Sequence, residues 1–90
     1  MRTELLLLGV GGVIAANRVL AIANPHSTPI KQMIRRAREE NLLIDLRYGR
    51  STQAVVFFDS GHIALVALEP GDIVSRLGSL REGESRSIQT

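Results

Sequence analysis

Residues 42–68 read LLIDLRYGRSTQAVVFFDSGHIALVAL. Three short runs rich in aliphatic and β-branched residues are separated by two turn sequences, YGRS at 48–51 and DSG at 59–61. Short apolar runs between turns of this composition are typical of antiparallel strands joined by hairpins. We therefore predict strands over residues 42–47, 53–58 and 62–68, joined by two consecutive hairpins into a three-stranded meander.

A helix is predicted on the N-terminal side of this meander. Ser27 is a suitable N-cap, because its hydroxyl can accept a hydrogen bond from a free backbone N–H of the first turn, and Pro29 is tolerated there. The helix is expected to run to about residue 41. Four apolar residues recur at intervals of three and four, and they form the stripe that should pack on the sheet: Ile30, Met33, Ile34 and Ala37.

A second, shorter helix is predicted on the C-terminal side, where Pro70 is its first-turn residue. Its apolar face comprises Ile73, Val74 and Leu77. The domain is expected to occupy residues 1–78. Residues 79–90 are rich in Ser, Glu, Arg and Gly, which predicts a flexible tail.

The N-terminal residues allow two interpretations. The apolar run at 4–8 predicts a buried strand, followed by a glycine bend and by strands over 13–16 and 18–23. Alternatively, Arg2, the apolar residues 5–16 and the Ala-Ile-Ala sequence at 21–23 resemble a signal peptide. Glu4 cancels the charge of Arg2, three glycines interrupt the run, and the run is too short for a transmembrane helix.

Composition limits the classes of function that the chain can have. Ninety residues make a single domain, and the absence of cysteine excludes disulfides and thiolate metal sites. The formal net charge is only +2, but Lys31 is the one lysine among eleven cationic residues and the rest are arginine. Arginine binds phosphate and carboxylate with a planar fork that lysine lacks, so an oligomer that aligned these residues would present a strong anion-binding surface.

No catalytic, metal or cofactor site is predicted. His26 and His62 are isolated and are interpreted as surface residues, since neither has a ligand partner at metal-binding spacing. The glycines at 9, 11 and 12 lack the Lys-Ser/Thr of a phosphate loop, which favours a bend with close backbone packing. We therefore expect neither an enzyme nor a small-molecule substrate.

Four segments of the chain closely resemble the RemA family of extracellular-matrix regulatory proteins. They are GVGGVIAANR at 9–18, PIKQMI at 29–34, LIDLRYGRSTQAVV at 43–56 and DSGH at 59–62. The resemblance covers roughly residues 4–78, and the order and spacing of the segments make it specific. It also favours a core strand over a signal peptide at residues 5–8.

The resemblance implies a DNA-binding transcription regulator that activates biofilm-matrix genes. Such proteins are bacterial and cytoplasmic, work at the nucleoid and assemble into homo-oligomeric rings on double-stranded DNA, without membrane partners. We thus expect an α+β fold of short, mostly antiparallel strands and two helices that closes into a ring. Carried over residue by residue, the family's DNA contacts fall on Arg18 and on Arg50 at the expected hairpin turn.

This sequence departs from the family pattern beside the turn arginine. The family often carries a second basic residue where this chain has Ser51, and sometimes another where it has Gln53. Arg47 is a nearby basic residue that can compensate for the positive charge missing at these two positions. Asn17, which precedes Arg18, completes the predicted DNA-binding set, although asparagine at such a position is more often a turn former than a reader of bases.

Alternative roles remain open for these basic residues. Arg18 can pair with Asp45 or another acid instead of phosphate, because both use the same fork geometry. Lys31, Arg35 and Arg38 form one edge of the first helix, which suits a DNA backbone, a solvated face or a subunit contact equally well. The rival function is a structural or protein-interaction module whose arginines make contacts between subunits and which does not bind DNA.

Overall fold

A computed structural model describes residues 4–8 and 12–85, and residues 80–85 by their backbone alone. The elements, in chain order, are β1 (Leu5–Leu7), β2 (Val13–Ala15), a 3₁₀ turn (Ala16–Arg18), β3 (Val19–Ala23), α1 (Thr28–Glu39), β4 (Leu43–Leu46), β5 (Ala54–Phe58), β6 (Ile63–Val66) and α2 (Pro70–Ser85). This is an α+β domain with two helices and mostly antiparallel strands, as predicted. None of the helices in the described part of the chain has the length and apolar character needed to cross a membrane.

The central sheet has four strands in the order β3-β5-β6-β4. Strands β5 and β6 pair antiparallel, with Val55 opposite Leu65, and β3 pairs antiparallel with the other edge of β5. The β5–β6 connection is a tight turn in which Gly61 has a φ of 95°, a conformation that glycine adopts without steric cost. The second of the two predicted hairpins is therefore confirmed.

The first predicted hairpin is wrong. Strand β4 pairs with β6 and runs parallel to it, with Leu43 opposite Ile63 and Leu46 opposite Val66, so that β6 separates β4 from β5. The YGRS sequence at 48–51 belongs to a longer connection, residues 47–53, which passes the end of β6. The reason is competition for strand edges, because β3 occupies the edge of β5 that β6 leaves free, and β4 pairs with the free edge of β6.

Helix α1 covers one face of the central sheet. Ser27 is its N-cap, and its Oγ accepts a hydrogen bond of 3.3 Å from the backbone N–H of Ile30, as predicted. Ile30, Ile34 and the buried Ala37 pack with the sheet residues Val55, Ile63 and Leu65. Met33 was expected to pack there too, but its side chain is 42% exposed, because it lies at the margin of the apolar stripe.

The other face of the sheet is covered by the β1–β2 pair and by α2. Their buried residues contact the sheet residues in one cluster: Leu6, Leu8, Ile14, Ile73, Ala54, Val56, Ala64 and Val66. Leu77 packs against this cluster, whereas Val74, predicted for the same helix face, is 57% exposed. Only alternate residues of β1 are buried, since Leu5 and Leu7 point away from the sheet.

Gly12 enters β2 with a φ of 122°, and a Cβ atom at this position would lie 3.1 Å from Cδ2 of Leu46. This agrees with the close packing predicted for the glycine bend; residues 9–11 lie outside the described part.

The 3₁₀ turn occupies the point where two strands were predicted to meet, so Arg18 precedes β3. The prediction of a shorter second helix is wrong, because α2 continues past residue 78 and has 16 residues against 12 in α1. Residues 86–90 of the predicted tail lie outside the described residues.

We predict that Ile73→Ala lowers the free energy of unfolding by about 2–5 kcal/mol, since it empties a fully buried site between α2 and the sheet. Its neighbour Val74 is the matched control, and Val74→Ala should change stability by no more than about 0.5 kcal/mol. Urea denaturation of both variants at one protein concentration is the measurement. Equal losses of stability in the two variants would contradict a helix α2 in which Ile73 is buried and Val74 is exposed.

Candidate nucleic-acid interface

Arg50 lies in the connection between β4 and β5. The backbone there is unusual, because Tyr48 and Gly49 have φ values of 57° and 81° in succession. The backbone N–H of Arg50 donates to the carbonyl oxygen of Arg47 at 3.1 Å, which closes the turn. Its side chain is exposed, and within the described residues it makes no hydrogen bond or ion pair. Arg50 is therefore available to bind an anion.

Arg47, three residues earlier, is half-buried and is held by partners from its own chain. Its Nε and Nη2 donate to the two carboxylate oxygens of Asp45 at 3.0 and 2.8 Å, and its Nη1 donates to Oγ1 of Thr52 at 3.0 Å. The side-chain and backbone hydrogen bonds from Arg47 lower the pKa of Asp45 to about 2, helped by the nearby charge of Arg38. The same side-chain pairing raises the pKa of Arg47.

Ser51, the residue after Arg50, is exposed but not free. Its Oγ accepts a hydrogen bond of 3.1 Å from Nε2 of Gln53. The two positions at which the family resemblance suggested basic residues are thus occupied here by two neutral side chains that bind each other.

Arg18 lies at the junction between the 3₁₀ turn and β3. Its Nε donates to Oδ1 of Asp59 at 2.9 Å, and the backbone N–H of Asp59 donates to the Arg18 carbonyl oxygen, also at 2.9 Å. Both side chains are about half exposed. The acid that pairs with Arg18 is therefore Asp59, while Asp45, the partner considered from the sequence, binds Arg47.

Asn17 has a structural contact. Its Oδ1 accepts a hydrogen bond of 3.3 Å from the backbone N–H of Glu4, and the Glu4 carbonyl oxygen accepts one of 2.7 Å from Ala16. These bonds join the start of β1 to the 3₁₀ turn, in keeping with the role of turn former.

The predicted residues fall into two groups at opposite ends of β5. Asn17 and Arg18 adjoin its C-terminal end through Asp59, whereas the group of Arg47, Arg50 and Ser51 precedes its N-terminal end. A five-residue strand with a rise of ~3.3 Å per residue separates the groups by about 16 Å. One subunit therefore offers two distinct points of positive charge.

An open cavity of about 320 Å³, which sequence reasoning missed, lies beside Arg18. Its lining includes the apolar residues Ile14, Leu46 and Phe58 together with Arg18 and His62. His62 was interpreted as a surface residue but is half-buried, with its Nδ1 2.8 Å from Oγ of Ser60. No sequence signal could have revealed the cavity, because its walls come from separate strands of both sheets.

The basic residues of α1 are exposed on the surface away from the sheet. Gln32, Arg35, Arg36 and Glu39 line a shallow polar depression there. Within the described residues, no group of three or more His, Asp or Glu side chains is placed to hold a metal ion.

Comparison with known proteins identifies a family. Residues 5–77 match the RemA-like family, described as "Extracellular matrix regulatory protein A-like". A protein of Trichormus variabilis is 45% identical over 94% of this chain and 97% of its own length, and one of Dehalococcoides mccartyi is 49% identical over 92% of this chain and 86% of its own. A protein of Halalkalibacterium halodurans is 44% identical, covering 88% of this chain and 91% of its own.

All three relatives carry the name "Putative regulatory protein", which points to regulation rather than catalysis. The match extends over both sheets, α1 and the first half of α2, and it includes both groups of arginines. The chain therefore belongs to the RemA-like family of extracellular-matrix regulatory proteins.

Proposed function

We propose that this protein is a DNA-binding transcriptional regulator, an activator of biofilm-matrix genes, that acts as a ring-shaped homo-oligomer. It contacts the phosphates of double-stranded DNA through Arg18 and Arg50. The observation that carries the proposal is Arg50, an exposed guanidinium in a structured connection that makes no ion pair with the described residues. An unsatisfied guanidinium held on a defined backbone can bind a phosphate oxygen at a small cost in ordering.

Arg18 provides the second contact. Asp59 accepts its hydrogen bond from Nε, which leaves the two terminal amino groups of the guanidinium for a phosphate. The carboxylate fixes the direction of the side chain, but it also places a negative charge beside the DNA. Arg18 should therefore contribute less than an unpaired arginine at the same position. Ser51 and Asn17, which flank the two arginines, add neutral polar groups near the DNA backbone.

The separation of the two arginines favours binding by many weak contacts. About 16 Å corresponds to several base pairs, at ~3.4 Å per base pair along the duplex axis, so Arg18 and Arg50 reach different phosphates. One subunit then binds weakly, and a ring of subunits on one DNA molecule binds tightly because each further contact is intramolecular.

The outer face of the β1–β2 pair supports self-association. The antiparallel register places Leu7 opposite Val13, and both point away from the core together with Leu5. Their exposed fractions are 66%, 47% and 64%. Three neighbouring apolar side chains of this size on one sheet face are typical of a surface covered by a protein partner. A ring further requires that this surface meet a different surface of the next subunit.

The alternative function is an interaction module that binds no DNA. Two of the five predicted residues, Arg18 and Arg47, already pair with carboxylates of their own chain. Arginines of this protein therefore form ion pairs readily, and Arg50 can do the same with an acid of a neighbouring subunit.

We predict that Arg50→Ala weakens DNA binding and also reduces its salt dependence. The slope of log K against log salt concentration should fall by about 0.9 for every phosphate contact that is lost. Fluorescence anisotropy of a labelled duplex over a salt series measures both quantities. Sedimentation should show that the oligomer is unchanged.

Arg36→Ala is the matched control for this experiment, since it removes the same charge from an exposed position of α1. It should leave the slope nearly unchanged. If the intact wild-type oligomer does not bind long duplexes at low salt, the proposed DNA-binding function is wrong. If Arg50→Ala no longer forms the oligomer, the result favours the interaction module.

A second prediction concerns the pairing of Arg18 with Asp59. Arg18→Ala should weaken DNA binding in two ways, because it removes a cation and leaves the Asp59 carboxylate uncompensated beside the phosphates. Adding Asp59→Asn should therefore restore part of the affinity, as measured by the same anisotropy titration. An Arg18→Ala variant that binds as tightly as the wild type would place Arg18 away from the DNA, and equal affinities of the single and double variants would rule out an effect of the Asp59 carboxylate.

A further inference from the structure

The connection that carries Arg50 has a backbone conformation that needs support. Tyr48 is not a glycine, yet its φ of 57° lies in the left-handed region, which carries a steric cost for a residue with a bulky side chain. Tyr48 is 76% exposed, so the packing of its own side chain does not hold this conformation. Such strained residues persist where neighbouring contacts over-determine the backbone.

Contacts of Arg47 join the two ends of this connection. Its guanidinium joins Asp45, in β4, to Thr52, which lies just before β5. The backbone N–H of Arg47 also donates to Oδ1 of Asp45 at 3.0 Å, so the same carboxylate fixes both the backbone and the side chain of Arg47. We call the three residues Asp45, Arg47 and Thr52 the clip, because together they close the two ends of the connection onto each other.

The clip occupies each nitrogen of the Arg47 guanidinium. Nε and Nη2 form the two parallel bonds of an arginine–carboxylate fork, and Nη1 binds the threonine hydroxyl. The side chain is only 31% exposed. Three of its five N–H donors are therefore used within the chain, and only one on each of Nη1 and Nη2 is left for a phosphate. The neighbouring Arg50 carries no such partners among the described residues.

We propose that Arg47 is a positioning residue and not a DNA contact: the Asp45–Arg47–Thr52 clip holds the connection in the conformation that presents Arg50 to the phosphate. This inference rests on the proposed DNA-binding function and assigns Arg47 a different role from the one suggested by its sequence position. It also gives Asp45, an acid close to the DNA-binding group, a favourable part in DNA binding.

The direction in which Asp45→Asn changes the DNA affinity distinguishes a positioning role from long-range electrostatic attraction. Removing a negative charge near a DNA-binding surface strengthens binding if long-range attraction alone decides the affinity. Removal of a clip residue releases the connection, so that Arg50 must be ordered on binding and the affinity falls. Asp45→Asn should therefore weaken DNA binding, contrary to the change in net charge.

The free protein offers a direct measure of the clip. Tyr48 is the only tyrosine of the chain and there is no tryptophan, so intrinsic fluorescence reports on the connection alone. In time-resolved anisotropy of the protein without DNA, Asp45→Asn and Thr52→Val should both increase the amplitude of fast local motion of Tyr48. The slow component, which reports overall tumbling, should stay constant.

The DNA-binding measurement uses three variants of the clip. Asp45→Asn should lower the affinity of the oligomer about tenfold, because a modest loss in each subunit is multiplied over several contacts. Thr52→Val, which changes no charge, should lower it less. Arg47→Lys should also weaken binding although it keeps the charge, since an ammonium group cannot form the two-bonded fork. In all three the salt slope should remain that of the wild type.

Asp72→Asn is the control for charge, because Asp72 is an exposed acid in the first turn of α2. It should leave DNA binding unchanged or slightly stronger. Circular dichroism and thermal unfolding identify any variant that does not fold, in which case Thr52→Val, the mildest change, decides the outcome.

The two hypotheses fail in different ways. If Asp45→Asn or Arg47→Lys binds DNA as tightly as the wild type, or if Tyr48 shows no added local motion, the clip does not position Arg50. If the wild type binds no DNA while the clip variants still mobilise Tyr48, the proposed function is wrong and the clip stands as a feature of the fold alone.

Discussion

The antiparallel pairing of β5 with β6 is the constraint on which the rest of the structure depends. These two strands are covered on both faces, and Ala54, Val55, Val56 and Ala64 have no exposed surface. A two-stranded ribbon buried in this way needs a layer on each side. Helix α1 provides one layer, and β1, β2 and α2 provide the other. Strands β3 and β4 then pair with the two remaining edges of the ribbon.

The parts of the fold that could be predicted are those encoded by neighbouring residues. The cap at Ser27 and the apolar stripe of α1 are local signals, and so is the turn around Gly61 that joins β5 to β6. The partner of β4 could not be predicted in this way. Its sequence indicates a strand with an apolar face, but the choice between β5 and β6 depends on β3, which ends about twenty residues before β4 begins.

In the candidate site, too, the residue types could be predicted from the sequence but their surroundings could not. The sequence identifies Arg18, Arg47 and Arg50 as a set of similar residues. In the structure one is clamped by a carboxylate at Nε, one is bonded through all its nitrogens, and one is exposed. The partners that create these differences, Asp59 and Thr52, are common surface residue types that carry no signal of their own in the sequence.

The placement of the two arginine groups at the ends of β5 has a consequence for how such a protein can change during evolution. A strand buried on both faces tolerates neither insertion nor deletion well, because a shift of one residue would move every side chain to the opposite face of the sheet, where it meets a different layer. The spacing between Arg18 and Arg50 is therefore inherited with the hydrophobic core. Selection can alter the charge at either end, but the interval between the ends is as fixed as the fold itself.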